Sequence, residues 1–144
     1  MPYRSVQSVL SIILLIFLAG LATRARAQQT TEQLGQQAAD AWLALVDSGE
    51  YAKSWEQASS LFKSHVSKVA WQKTLKSTLG PLGKNKSRTL KSAKYATTLP
   101  GVPDGRYVVI EYESSFEGKQ SAIETITPML DKDGLWHVSG YFIK

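Results

Sequence analysis

The sequence predicts an α+β domain in which three helices are followed by a curved, four-stranded antiparallel sheet. Between residues 30 and 79, apolar side chains recur at the three- and four-residue intervals of amphipathic helices. From Lys86 onward the pattern changes to segments rich in Thr, Tyr, Val and Ile, separated by turn sequences. Because helices and strands are segregated along the chain, we expect the helices to pack on one face of the sheet.

Each predicted helix has a recognisable boundary. The first covers residues 30–47, where Thr30 and Gln33 have the spacing of a capping box. The second covers residues 51–62 as one continuous helix. The third begins at Ser67 and ends at the glycine- and proline-containing stretch of residues 80–83.

The four predicted strands cover residues 86–99, 106–116, 120–130 and 135–143. Residues 100–105 (PGVPDG) and 131–134 (DKDG) carry strong turn signals between them. Pro128 predicts an edge or a bulge near the end of the third strand, because proline cannot donate a ladder hydrogen bond. In an unbroken last strand, Trp136 and Tyr141 fall on opposite faces.

Residues 1–27 have the order of a secretory signal peptide. Arg4 precedes the uncharged run Val9 to Ala22, and Ala25-Arg26-Ala27 is a small-x-small cleavage site. Cleavage after Ala27 leaves residues 28–144 as a single domain, exported to the bacterial periplasm or secreted, and the membrane is contacted only through the signal peptide. An uncleaved N-terminal anchor is the alternative, although the 14-residue run is short for a membrane span.

The chain has no cysteine. Disulfides, thiolate chemistry, Cys-ligated zinc and lipid attachment at a cysteine are therefore excluded. No P-loop, GxGxxG, GxSxG or HExxH motif occurs in the sequence. We accordingly expect neither a cofactor nor a metal ion.

The basic charge is concentrated in one part of the chain. The net charge of +5 falls to +2 once the three arginines of residues 1–27 are removed. In an unbroken first strand, even-numbered residues share a face, which groups Lys84, Lys86, Arg88 and Lys94 as candidate anion-binding residues. Their partner would be an anionic envelope component; no nucleic acid partner is expected, because no aromatic residues are interleaved with these charges.

Two residues are candidates for catalysis. Asp40 adjoins the apolar stripe of the first helix, where a desolvated carboxylate could abstract a proton, and His137 could assist it. Glu111 and Glu113 are a further acidic pair on one strand face, and the same pattern is typical of a solvated surface. No metal site is predicted.

The aromatic residues at helical spacings predict the core and, in part, the wall of a pocket. Candidate ligand-binding residues are Trp42, Trp55, Trp71 and Tyr141. Such pockets are usually apolar with a few polar groups.

Three segments carry a resemblance to a known family. They are AWLALVDSGEYAKSWEQASSLF from Ala41, TTLPGVPDGRYVVIEYESSF from Thr97 and ETITPMLDKDGLWHVSGYFIK from Glu124. The chain resembles the bacterial domain of unknown function 4019, which implies an exported protein and supplies no catalytic residues. By topology it is also similar to the cystatin-like cone of nuclear transport factor 2-like proteins, a group that includes isomerases, dehydratases and binding modules.

These observations favour a non-enzymatic module that binds a small ligand or an envelope protein. An isomerase- or dehydratase-like enzyme using Asp40 is the first alternative, and an anionic-surface binder using the basic strand is the second. The topological resemblance also implies a homodimer formed through the sheet.

Overall fold

The computed structural model describes residues 28–144, so the predicted signal peptide, or anchor, lies outside the described residues. The elements in chain order are α1 (Thr31–Asp47), α2 (Tyr51–Glu56), α3 (Ser60–His65), α4 (Lys68–Leu79), β1 (Asn85–Ala96), β2 (Tyr107–Phe116), β3 (Lys119–Leu130) and β4 (Trp136–Ile143). The helices precede the strands, which confirms the predicted α+β class.

The sheet is an open antiparallel meander with the order β1-β2-β3-β4. The burial pattern of β2 identifies the inner face of the sheet, because the buried Val108, Ile110 and Tyr112 alternate with more accessible residues. Helix α1 crosses this face and contacts all four strands. The core therefore lies between α1 and the sheet, with α2, α3 and α4 closing its sides.

Helix α1 begins where the sequence predicts. The Thr30 hydroxyl accepts a hydrogen bond from the Gln33 backbone N–H at 3.2 Å, and the Gln33 side chain accepts one from the Thr30 N–H at 2.9 Å. This reciprocal pair satisfies two amides that a helix otherwise leaves unpaired.

The prediction of a single second helix over residues 51–62 is wrong, because the segment forms two short helices, so the domain has four. The break falls at Ser59, whose side chain caps α3 and whose backbone N–H donates to the Val138 carbonyl of β4 at 2.9 Å. Asp131, from the β3–β4 turn, accepts hydrogen bonds from the Ser60 N–H and hydroxyl, both at 2.6 Å. The chain is thus interrupted where tertiary partners replace helical hydrogen bonds.

Helix α1 approaches β2 very closely at Gly35. A Cβ atom built there would lie 2.7 Å from the Cβ and Cγ2 atoms of Val108. A glycine is therefore required in the middle of this helix, in spite of its low helix propensity.

Both edge strands contain register shifts. β1 shifts between Asn85 and Ser87 and again between Leu90 and Ser92. β4 shifts opposite Thr127 and Pro128, which confirms the irregularity that Pro128 predicts. The β4 shift places Trp136 and Tyr141 against the same core, so the prediction of opposite faces is wrong.

We predict that the ionised Asp131 carboxylate stabilises the fold, and that this stabilisation is lost only when the pH is lowered into the strongly acidic range. Burial raises the pKa of Asp131, but hydrogen bonds from Ser60 and Lys132 outweigh it and lower the pKa from 3.8 to about 2. A depressed pKa contributes stability that is fully present above the unfolded value and is lost as the pH falls through the folded value.

The test is the difference in thermal midpoint between the natural protein and Asp131→Asn, followed from neutral pH to pH about 2. We expect the difference to be constant above the unfolded pKa and to shrink below it. Asp104→Asn, which alters an exposed loop acid, is the matched control. A difference that does not change with pH would contradict the assignment.

Candidate functional site

A fully buried carboxylate occupies the inner face of the sheet. Glu124 of β3 is 0% exposed, and Arg88 of β1 binds it with Nε at 2.6 Å from Oε2 and Nη2 at 3.0 Å from Oε1. The guanidinium also binds Asp47, the last residue of α1. Nη1 lies 2.8 Å from Oδ2 of Asp47, and Nη2 lies 3.1 Å from Oδ1. Arg88 therefore joins the end of α1 to β1 and β3.

Two hydroxyl groups complete this ion cluster. Ser114 of β2 donates to Oε2 of Glu124, and Tyr141 of β4 donates to Oε1 at 2.7 Å. Burial alone would raise the pKa of Glu124, but the hydrogen bonds from Arg88, Ser114 and Tyr141 hold it below its usual value. Burial and the neighbouring carboxylate raise the pKa of Tyr141. All four strands thus contribute a side chain to the cluster.

The ion cluster is suited to holding charge and unsuited to proton transfer. Burial lowers the pKa of Arg88, but hydrogen bonds to Asp47 and Glu124 reverse this and raise it above its usual value. The cluster thus keeps a cation and a carboxylate ionised together, and Glu124 has no surface that a ligand could touch. Its role is to fix the strands and the end of α1.

The predicted basic face of β1 does not form. Arg88 pairs with Ser114 on the inner face, whereas Lys94 pairs with Val109 on the outer face. The register shift between Leu90 and Ser92 inserts one extra residue into β1. Even-numbered residues therefore face the core before the shift and the outer face after it. Lys84 and Lys86 are exposed near the start of β1, and Arg88 is held in the ion cluster.

Asp40 lies exposed on α1, where it accepts a hydrogen bond from the Tyr112 hydroxyl. Burial and the Asp40 carboxylate raise the pKa of Tyr112. The desolvated carboxylate that an isomerase mechanism requires is therefore not formed by this residue. The contact instead connects α1 to β2.

Glu111 and Glu113 lie on the outer face of the sheet, opposite the ion cluster. Glu113 is exposed and Glu111 half-buried, as expected of a polar strand face. Tyr107, which shares their parity, is nevertheless buried, and its hydroxyl donates to the Pro103 carbonyl at 2.7 Å in the loop between β1 and β2.

The indole N–H groups of the three candidate tryptophans all donate hydrogen bonds to residues of the helical half of the domain. Trp42 Nε1 donates to the Ser54 carbonyl at 2.8 Å, and Trp71 Nε1 donates to the Ser54 hydroxyl at 2.9 Å. Trp55 Nε1 donates to the Val66 carbonyl at 2.7 Å. Trp42 and Trp71 are buried, and Tyr141 packs edge-on against Trp42. Of these four candidates, Trp42 also lines a surface groove.

That groove runs between α1 and β4 and has a volume of about 460 Å³. We call it the α1–β4 groove. Leu34 and Leu135 at its walls are 38% and 61% exposed. Its polar groups are Gln37, Gln57 and His137, and its apolar lining is formed by Leu34, Ala38, Ala41, Trp42, Leu135, Trp136 and Val138.

His137 is fixed at one end of the groove. Its Nε2 lies 2.7 Å from Oδ2 of Asp133, and its Nδ1 lies 3.0 Å from the Gln57 carbonyl oxygen. Both partners are acceptors, so a ring nitrogen that carries a hydrogen donates to one of them. Both ring nitrogens thus face groups of the protein itself, which does not favour the predicted role of His137 as a base.

The most important polar residue, Glu124, was not among the sequence candidates. Its position in the strand could have identified it. Ala122 and Ile126 lie two residues before and after it, so they share its face of the sheet, and both are buried. An acidic residue that shares a strand face with apolar neighbours indicates a buried carboxylate with a charged or hydrogen-bonding partner. Arg88 could not have been assigned as its partner, because the shifts in β1 hide its orientation.

Within residues 28–144, no group of three or more His, Cys, Asp or Glu side chains is arranged to hold a metal ion. In the same region no helix combines the length and the apolar character needed to cross a bilayer.

We predict that Arg88→Ala destabilises the fold by about 3–5 kcal/mol, because it leaves a buried carboxylate without its cation. Urea unfolding measures the change. Lys86→Ala, which removes an exposed cation of the same strand, is the matched control and should change stability by less than about 0.5 kcal/mol. The double variant Arg88→Met/Glu124→Leu should recover much of the loss, since no charge is then buried.

Equal losses for Arg88→Ala and Lys86→Ala would show that the cluster is not the stabilising contact.

Two comparisons bear on identity. No curated protein was found to match the chain. A family model described as a protein of unknown function, DUF4019, matches residues 38–141. The matched region runs from the middle of α1 through the ion cluster to Tyr141, and so covers most of the described fold. The chain belongs to the DUF4019 family.

Proposed function

We propose that the domain is a non-enzymatic module that binds a small, largely apolar ligand in the α1–β4 groove. The observation that carries this proposal is the composition of the groove wall. Apolar side chains remain exposed along it while Gln37, Gln57 and His137 converge on it. A concave apolar surface with a few placed polar groups is the usual form of a small-molecule site.

The polar groups restrict the ligand further. His137 uses both ring nitrogens on Asp133 and Gln57, so the two glutamine amides are the principal side-chain donors and acceptors left for a ligand. Amides bind neutral carbonyl and hydroxyl groups without favouring a charge. The groove therefore suits an uncharged apolar molecule with one or two such groups. A protein surface is the alternative occupant.

We predict that the neutral fluorophore N-phenyl-1-naphthylamine binds the protein, and that one groove variant weakens this binding and a second abolishes it. Leu135→Ser removes an apolar wall and should weaken binding by about three- to tenfold. Ala38→Trp fills the groove and should abolish binding. A fluorescence titration measures both effects.

Val69→Ser is the matched control, because Val69 is 76% exposed on α4 and does not line the groove. Binding that is unaffected by Ala38→Trp, or reduced equally by Val69→Ser, would overturn the proposal. Absence of binding to the natural protein would do the same.

The enzymatic alternative receives no support from the described residues, since its proton acceptor Asp40 is exposed and occupied by Tyr112. The order of helices and strands and the placement of α1 across the sheet are the features that favour a cystatin-like or nuclear transport factor 2-like cone. Association of two copies through the sheet stays a prediction.

We also propose that residues 1–27 direct export to the bacterial periplasm and are cleaved after Ala27. The supporting observation is the order of charge, apolar run and small residues in this segment. Mass spectrometry of the protein recovered from a bacterial host should give an N-terminus at Gln28. A retained Met1 on a membrane-bound product would instead establish the anchor.

A further inference from the structure

Gln28 is the residue that the proposed cleavage after Ala27 would leave at the N-terminus. Gln28 and Gln29 lie before Thr30, the residue that caps α1. Both glutamines are exposed and belong to no helix or strand. The cleaved chain therefore begins with a glutamine that lies outside the regular elements of the fold.

The contacts that fix the start of α1 do not involve Gln28. The Leu34 backbone N–H donates to the Thr30 carbonyl at 3.0 Å, and the capping box joins Thr30 to Gln33. No hydrogen bond or ion pair joins Gln28 to another residue in the described part of the chain. Its side-chain amide can therefore turn back onto its own backbone nitrogen without breaking a contact of the domain.

The length of a glutamine side chain places its amide carbon within reach of an α-amine on the same residue. The α-nitrogen attacks Cδ and closes a five-membered lactam, in a reaction that is fast for its kind because both groups belong to one residue. The bond from Cδ to Nε2 breaks, and Nε2 takes a proton from the α-amine and leaves as ammonia. Gln29 cannot react in this way, because its backbone nitrogen is an amide and is not nucleophilic.

We propose that Gln28 is a modification site, and that the exported protein carries pyroglutamate at its N-terminus. This proposal rests on the proposed cleavage after Ala27, because only cleavage gives Gln28 an α-amine. The modified residue carries no charge. Consequently no ammonium lies beside the N-terminal end of α1, where the helix dipole disfavours a cation. The product also lacks the amine that an aminopeptidase recognises.

Intact-mass spectrometry of the protein recovered from a bacterial host, after incubation at mildly alkaline pH, tests the proposal. The alkaline pH is chosen because the amine reacts only in its unprotonated form. We expect a mass lower by one ammonia than that of unmodified residues 28–144, and the same difference in the N-terminal peptide. A Gln28 amine that stays open would overturn the modification alone. An N-terminus at any other residue would overturn the proposed cleavage and this site with it.

Two glutamine variants locate the loss of ammonia. Gln28→Glu has nearly the same size, but its carboxylate is a poor electrophile, so this variant should keep an open amine over the same incubation. Gln29→Glu, the matched control, makes the same change one residue later and should still lose one ammonia. An equal loss of ammonia from Gln28→Glu would place the reaction at another residue and overturn the proposal.

Digestion with an aminopeptidase gives a second readout. The natural protein and Gln29→Glu should keep their N-terminal residue, whereas Gln28→Glu should lose it, because the enzyme requires an open amine. Trimming of the natural protein at the same rate as Gln28→Glu would show that its amine is open and would overturn the modification.

Discussion

The bond between Arg88 and Glu124 is the interaction on which the rest of the structure depends. A carboxylate that is 0% exposed stays ionised only beside a cation, so β1 must turn Arg88 toward the core. The same guanidinium then holds Asp47 and with it the end of α1. One residue thereby links the orientation of β1 to the position of α1.

The elements that depend on neighbouring residues were predictable from sequence. The cap at Thr30, the helix start at Ser67 and the irregularity at Pro128 all follow from side chains that act within a few positions. The break at Ser59 was not predictable, because it depends on Val138 and Asp131, which lie more than 70 residues further along the chain. Tertiary hydrogen bonds there override a continuous helical pattern.

The candidate sites show the same division. Parity arguments failed in β1 and β4, since each strand contains a shift that reverses its faces, which separated Lys94 from Arg88 and brought Trp136 and Tyr141 together. Helical spacing placed Trp42 and Trp71 correctly in the core, yet it could not show that both indole groups would donate to Ser54. Burial is encoded by periodicity, whereas pairing depends on the assembled fold.

The shift in β1 also affects how the sheet ends. β1 is a twelve-residue strand at the edge of the sheet, and the exposed Lys86, Lys91 and Lys94 are distributed along it, with Lys91 at the point of irregular pairing. Two such edges brought side by side would oppose like charges across an interrupted ladder. β1 therefore disfavours the addition of a strand from another molecule at this edge. This protects the chain from ordered aggregation, although the backbone of the edge strand is exposed to solvent.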